Sequence, residues 1–158
     1  MKKASLHWLF IMLCCSAVTA VAAQKDTVHF TVSLQNPQSH IVHVIMQFNI
    51  KKQDVLYLKM PQWTPGYYQL MNYAHRVSNF AATGNEGHSL TWDKPDIHTW
   101  KVVTKKQSSI TINYDVLADS PFVATSFMDT THAYLTPAAT FFYLDKQLHK
   151  NNIKTGAV

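Results

Sequence analysis

Hydrophobic and polar residues alternate along four segments of the chain. Segments 27–34, 41–50, 55–60 and 109–116 each place an apolar residue at every second position. Successive side chains of a β-strand point to opposite faces, so this period of two is typical of a strand with one buried face. The predicted buried residues are Val28, Phe30, Val32 and Leu34; Val42, Val44, Met46, Phe48 and Ile50; Leu56, Leu58 and Met60; and Ile110, Ile112, Tyr114 and Val116.

Turn-forming residues separate these predicted strands. Proline, glycine and asparagine favour chain reversals because of their restricted or permissive backbone angles. Strands and turns recur about every 8–12 residues, which is the spacing of all-β proteins. The sequence therefore predicts one all-β domain, either an antiparallel β-sandwich or a curved open sheet. The turns are Asn36-Pro37, Thr64-Pro65-Gly66, Gly84-Asn85-Glu86-Gly87, Lys94-Pro95-Asp96 and Ser120-Pro121.

Two later segments have a less regular pattern. Residues 69–80 allow a helix, with Leu70, Tyr73, Ala74 and Val77 on one face, or an extended chain from Tyr73 to Phe80. Residues 131–145 predict one or two buried strands. Residues 146–158 then follow without an evident closing element. Because a strand pair without its neighbour has exposed edges, we expect the domain to be incomplete at its C-terminal end.

The N-terminal residues have the pattern of a secretory signal peptide. Lys2 and Lys3 precede the apolar stretch LHWLFIMLCC, and the small residues SAVTAVAA follow. Ala20-Val21-Ala22 fits an A-x-A cleavage site, and the apolar part is shorter than the ~20 residues of a membrane span. We therefore predict a signal peptide at residues 1–23 and a domain at residues 24–158. The mature protein is expected to be exported, periplasmic or extracellular, without a membrane span.

Cleavage would change the cysteine count and the charge. Cys14 and Cys15 would be removed, so no thiol or disulfide is expected in the remaining 158 − 23 = 135 residues. Loss of two lysines would leave 14 − 2 = 12 basic and 9 acidic residues, a net charge of +3. Arg76 is the only arginine and the lysines are scattered in pairs. Nucleic-acid-binding proteins usually cluster these residues on one face, so we do not expect nucleic-acid binding.

Motifs for catalysis are missing from the sequence. No two histidines after residue 23 are four apart, so the H-E-x-x-H zinc motif is absent, and no serine is framed as G-x-S-x-G. We therefore expect neither catalytic nor metal-ligating residues. Two weaker alternatives stay open: convergent carboxylates for glycoside chemistry and a site assembled in three dimensions from separate histidines. Their residues are Asp93, Asp96, Asp115 and Asp129, and His75, His98 and His132.

Aromatic residues surround one predicted turn. Thr64 precedes a proline and is pushed into an extended conformation, Pro65 fixes φ, and Gly66 can adopt a positive φ, which together predict a type II turn. Turns usually lie at the surface and are polar, so Trp63, Tyr67 and Tyr68 need a separate reason to be here. They either cover one end of the sandwich or form a wall for a ligand or partner.

The same region resembles a known family. The run P-x-W-T-P-G-Y at residues 61–67, followed by Tyr73-Ala74, Val77 and Phe80, resembles the N-terminal domain of the glycyl aminopeptidase family of zinc metallopeptidases. The similarity continues through LTWDK, TWKV, ITINYDVLA, and Asp129 followed by AYL, and covers about Thr27 to Leu144. The resemblance implies an all-β domain that accompanies a thermolysin-like catalytic domain and a PDZ domain. It also implies that zinc and the catalytic residues belong to the catalytic domain, which this sequence lacks.

These observations lead to two hypotheses about function. In the first, the chain is the non-catalytic β-domain of a secreted aminopeptidase-like metallopeptidase, whose partner is a peptidase catalytic domain or a peptide. Its candidate contact surface is Trp63, Tyr67, Tyr68 and Arg76, and Arg76 either binds a carboxylate bidentately or covers an aromatic ring. In the second, the chain is a free-standing periplasmic peptide- or glycan-binding module that uses the aromatic turn as a stacking platform.

Overall fold

Two four-stranded antiparallel sheets make up most of the structure. A computed structural model describes residues 27–145; the predicted signal peptide and residues 146–158 lie outside them. The strands are β1 Val28–Ser33, β2 Ile41–Asn49, β3 Val55–Lys59, β4 Val77–Thr83, β5 Trp92–Asp96, β6 Thr99–Val103, β7 Ser109–Leu117, β8 Phe127–Met128, β9 Ala133–Tyr134 and β10 Tyr143–Leu144. The first sheet has the order β1-β2-β7-β4 and the second the order β10-β3-β6-β5, while β8 and β9 form a small hairpin.

The described helices are short. Pro37–Ser39, Tyr73–Arg76 and Asn85–Gly87 are single 3-10 turns, and α1 spans Pro137–Thr140. Within residues 27–145, no helix is long and apolar enough to cross a lipid bilayer.

Buried side chains of both sheets join into one hydrophobic core. The alternating residues of β2, β3 and β7 point into it, and the predicted inner faces of these three strands are confirmed. The two sheets therefore pack face to face, and the predicted all-β antiparallel fold is confirmed. The inner face of β1 is only partly buried: Phe30 remains exposed because β1 is an edge strand, with a neighbour on one side. Leu34, which was predicted on the same buried face, lies just after the end of β1 and is also exposed.

Residues 69–80 combine features of both predicted alternatives. Tyr73–Arg76 form one 3-10 turn, in which Tyr73 and Ala74 are buried, and the chain then becomes extended in β4. The turn begins after Asn72, which adopts a left-handed conformation with φ of 50°.

The prediction of buried strands for residues 131–145 is wrong at its centre. Residues Ala139, Thr140 and Phe142 are buried, and none of them lies in a strand. Pro137 occupies the first turn of α1, a position that its fixed φ favours. The two strands of this segment, β9 and β10, have only two residues each.

Phe142 connects the two sheets at the centre of the core. Its ring centroid lies 4.7 Å from that of Trp100 in β6 and 4.6 Å from that of Tyr114 in β7, in edge-to-face geometry. Phe80 of β4 contacts the same ring at 5.8 Å. Aromatic pairs at these distances add to the free energy gained by burying their area.

Replacing Phe142 with alanine is expected to destabilise the domain severely. The ring is only 2% exposed, and truncating a buried phenylalanine costs about 3–5 kcal/mol. Tyr143→Ala is the matched control, because the adjacent ring is 47% exposed and surface substitutions usually change stability by less than about 0.5 kcal/mol. Chemical denaturation followed by fluorescence measures both. Equal losses in the two variants would contradict the central position of Phe142.

Candidate docking surface at the aromatic turn

The aromatic turn begins a closed loop between β3 and the 3-10 turn at Tyr73. The backbone N–H of Tyr67 donates to the carbonyl of Thr64 at 3.0 Å, and Gly66 has φ of 87°. Pro65 and Gly66 thus occupy the two central positions of the turn, in the arrangement of a type II turn. At the base of the loop, Met71 N–H donates to the carbonyl of Gln62 at 2.7 Å, which holds the two ends of the loop together.

A buried tyrosine attaches this loop to the loop between β7 and β8. The hydroxyl of Tyr73 donates to the carbonyl of Ala124 at 2.6 Å and lies 2.8 Å from the hydroxyl of Thr64. Because the single Tyr73 proton is directed to Ala124, the Thr64 hydroxyl donates to the Tyr73 oxygen. Tyr67 adds a second contact, since its ring meets that of Phe122 edge-on at 5.1 Å.

Five large apolar side chains remain exposed on these two loops, and we call them the aromatic end. Tyr68 is 92% and Val123 is 79% exposed, which are high values for large apolar side chains. Isolated exposed apolar residues are normal, but a group on neighbouring loops is typical of a binding surface. The residues of the aromatic end are Trp63, Tyr68, Leu70, Phe122 and Val123.

Arg76 takes part in holding these loops. Its Nη1 donates to a carboxylate oxygen of Asp119 and also lies 3.4 Å from the carbonyl of Leu117. The hydrogen bond from Arg76 holds the pKa of Asp119 below its ordinary value. The guanidinium thus already has a carboxylate partner in the β7–β8 loop, and among residues 27–145 no aromatic ring is found beneath it.

The structure divides the sequence-predicted candidates between two environments. Trp63 and Tyr68 are exposed on the aromatic end. Tyr67 is instead partly covered by the ring of Phe122, and Arg76 is held in an ion pair with Asp119. Leu70, Phe122 and Val123 were not among the contact-surface residues predicted from the sequence. Phe122 and Val123 nevertheless carry the same signal as the first turn, because they directly follow the turn residues Ser120-Pro121 and are apolar in a segment expected to be polar.

The four aspartates considered for glycoside chemistry have separate local partners. Asp93 lies 3.9 Å from Lys101 Nζ, Asp96 accepts the backbone N–H of His98, and Asp115 pairs with His43 at 2.6 Å. Asp129 accepts hydrogen bonds from the Thr131 hydroxyl and from the backbone N–H groups of His132 and Thr131, which lower its pKa to about 2. A carboxyl with such a pKa is ionised at neutral pH and is a poor general acid.

A metal centre is not found in the part of the chain that the structure describes. No group of three or more histidine, cysteine, aspartate or glutamate side chains converges among residues 27–145. Zinc in proteins is usually held by at least three such ligands. The zinc implied by the family resemblance is therefore not assigned to any of these residues.

Comparison with known proteins identifies the family. The Peptidase M61 N-terminal domain family matches residues 29–154. The chain belongs to this family. Comparison of the M61 N-terminal domain with curated proteins gave no match.

A solved structure resembles this M61 N-terminal domain in its fold. The crystal structure of an aminopeptidase N family protein from Idiomarina loihiensis matches with a TM-score of 0.71 and 19% sequence identity. The match covers 77% of this chain and 20% of that chain. At this identity the likeness shows the fold alone, and the M61 N-terminal domain spans about a fifth of that protein's length.

Removing the Tyr73 hydroxyl is expected to weaken the attachment of the two loops. Tyr73→Phe leaves the buried carbonyl of Ala124 and the Thr64 hydroxyl without this partner, at a cost of about 1–2 kcal/mol of unfolding free energy. Tyr67→Phe loses only an exposed hydrogen bond to Gln69 and should change stability by less than about 0.5 kcal/mol. Urea denaturation distinguishes the two; a Tyr73→Phe variant as stable as wild type would contradict the anchoring role.

The Arg76–Asp119 pair is expected to contribute stability that disappears in acid. The folded-state pKa of Asp119 is lowered from 3.8, so the pair stabilises the protein fully above that value and loses its effect as the pH falls through the lowered pKa. Both side chains are partly exposed, which limits the contribution to under about 1 kcal/mol.

Asp119→Asn provides the measurement for this pair. The difference in unfolding free energy between wild type and variant should be constant from neutral pH down to the ordinary aspartate range and should shrink below it. Asp93→Asn, whose carboxylate is farther from its lysine, serves as the control. A difference that grows on acidification would contradict the assignment.

Proposed function

We propose that this chain is the non-catalytic N-terminal β-domain of an exported aminopeptidase-like zinc metallopeptidase. It supports a catalytic domain, which carries the zinc, and helps to shape its peptide site. Family membership over residues 29–154 supports a peptidase-related role. The single observation that carries the docking role is the aromatic end, with Tyr68 and Val123 exposed on two loops that the buried Tyr73 joins.

The anchoring of these loops favours docking. Binding costs free energy when loops and side chains must become ordered. Here the hydrogen bonds of Met71, Tyr67 and Tyr73 already fix the loop backbone. Aromatic side chains are also enriched among the residues that dominate binding energy at interfaces. A catalytic domain that packs on the aromatic end would therefore gain apolar burial at a low ordering cost.

A peptide or glycan could use the same surface. Exposed Trp63 and Tyr68 have the flat rings on which sugars and peptide side chains stack. This second candidate needs no catalytic domain, and it predicts direct binding by the chain alone. It keeps the predicted periplasmic or extracellular location.

Binding and activity measurements test the proposal together. The purified chain is assayed for hydrolysis of glycyl and alanyl peptides, and its zinc content is read from the same sample. Its binding to an M61-family catalytic domain, produced without an N-terminal domain of its own, is then measured by calorimetry. We expect no turnover, no stoichiometric zinc and a measurable dissociation constant with the catalytic domain.

A matched pair of tyrosine variants locates the contact. Tyr68→Ala should weaken binding to the catalytic domain at least about tenfold, which corresponds to ~1.4 kcal/mol. Tyr143→Ala removes an exposed tyrosine from β10, outside both loops of the aromatic end, and should leave the affinity unchanged. Turnover that a chelator abolishes would overturn the non-catalytic role. Binding of a peptide or oligosaccharide without affinity for the catalytic domain would favour the second candidate.

A further inference from the structure

The two sheets have four outer strands, and three of them have features that hinder pairing with another chain. β4 contains a register shift between Ser78 and Ala81, with Asn79 at φ of 50°. β5 contains a proline, three charged side chains and its own register shift. β10 has only two residues. Bulges, prolines, charges and short length are the usual protections of an exposed sheet edge.

β1 has none of these protections. Its six residues, VHFTVS, include no proline, lysine, arginine, aspartate or glutamate and pair with β2 without any register shift. Among residues 27–145, no strand pairs with its outer side. Long, regular and uncharged edges are the ones that recruit a further strand.

The hydrogen-bonding pattern identifies which residues of β1 offer free backbone groups. Ala118 N–H donates to the carbonyl of His40 and Ile50 N–H donates to that of Ser108, so the even-numbered residues of β2 bond to β7. The odd-numbered residues of β2 therefore bond to β1, where their partners are also odd-numbered. Since N–H and C=O groups of successive residues alternate in direction, Val28, Phe30 and Val32 turn theirs away from β2.

These three residues form a pattern that reads the same in both directions. Val28, Phe30 and Val32 are alternate residues on the inner face of β1, so the order valine, phenylalanine, valine is the same from either end. His29 and Thr31 lie on the outer face. If two copies paired antiparallel about Phe30, Val28 of one copy would face Val32 of the other, and the two Phe30 residues would face each other. In each of these pairs the free backbone N–H and C=O groups of the two copies would form hydrogen bonds with each other. The side chains that pack against each other would all be apolar.

The side chain of Phe30 has apolar surface that such a pairing would cover. Its ring contacts Phe141 at 4.7 Å, yet it remains 38% exposed. The strand contains no lysine, arginine, aspartate or glutamate, and pairing about Phe30 would place His29 of each copy opposite Thr31 of the other copy, not opposite the second His29. Self-complementarity of one surface patch is the requirement for a twofold dimer.

We infer that β1 is a homodimerisation edge, at which two copies of this chain join their β1-β2-β7-β4 sheets into one continuous antiparallel sheet about Phe30. The interface is on β1, and none of its residues belongs to the aromatic end. Dimerisation and docking of a catalytic domain can therefore succeed or fail independently.

Sedimentation equilibrium tests the inference with two variants at one position. Val32→Pro removes an outward N–H but preserves the hydrogen bonds between β1 and β2, because proline is tolerated at such edge positions. Val32→Thr keeps the N–H and the shape of the side chain. We expect wild type and Val32→Thr to dimerise, and Val32→Pro to raise the dissociation constant at least about tenfold. A wild type that is monomeric at ~100 µM would overturn the inference, and so would equal dissociation constants for wild type, Val32→Thr and Val32→Pro.

Cross-linking gives a second readout that does not depend on Val32→Pro folding. In a chain with Cys14 and Cys15 changed to serine, Phe30→Cys would place two thiols opposite each other, about 5.5 Å apart at Cα, within disulfide range. Mild oxidation should give a covalent dimer. Thr83→Cys on the β4 edge is the control, and it should stay monomeric. Equal cross-linking of the two variants, or none of Phe30→Cys, would overturn the inference.

Discussion

The packing of Phe142 between Trp100 and Tyr114 is the contact on which the sandwich depends. Trp100 belongs to the sheet that contains β3, and Tyr114 belongs to the sheet that contains β2, so one ring touches both layers. The ring is contributed by a segment near the C-terminal end of the described chain, after β1 to β9. A core closed by such a late residue requires contacts between distant parts of the sequence, which form slowly and cooperatively.

The same core fixes the position of the aromatic end. Tyr73 is buried against the core, and its hydroxyl is bonded to Ala124. The core, Tyr73 and the two loops thus form a continuous chain of packed and hydrogen-bonded groups. Exposed side chains on a surface that is anchored in this way keep a defined arrangement. That is the property a docking surface needs and a mobile loop lacks.

The sequence pattern predicted the strands that are buried on one face and failed where burial is decided by distant partners. β2, β3 and β7 alternate cleanly because each is covered on one side. β1 has the same alternation, but Phe30 stays partly exposed because position at the edge of a sheet is a property of topology, which local periodicity does not contain. Phe142 could not be predicted as the central residue, because its partners are about 30 and 40 residues away.

The sequence predicted an aromatic contact surface at this turn but identified only some of its residues. The Pro65-Gly66 turn and its aromatic neighbours are adjacent in sequence, so a local argument reaches them. Phe122 joins them through contacts between distant parts of the chain: its ring meets that of Tyr67, across more than 50 residues, and its loop is attached by the hydrogen bond from Tyr73 to Ala124. Arg76 shows the opposite case: its charge suggested a ligand, but folding supplies Asp119 as an internal partner. For this fold, local rules identify which residues are out of place, and the packing of the sheets decides which of them stay available to a partner.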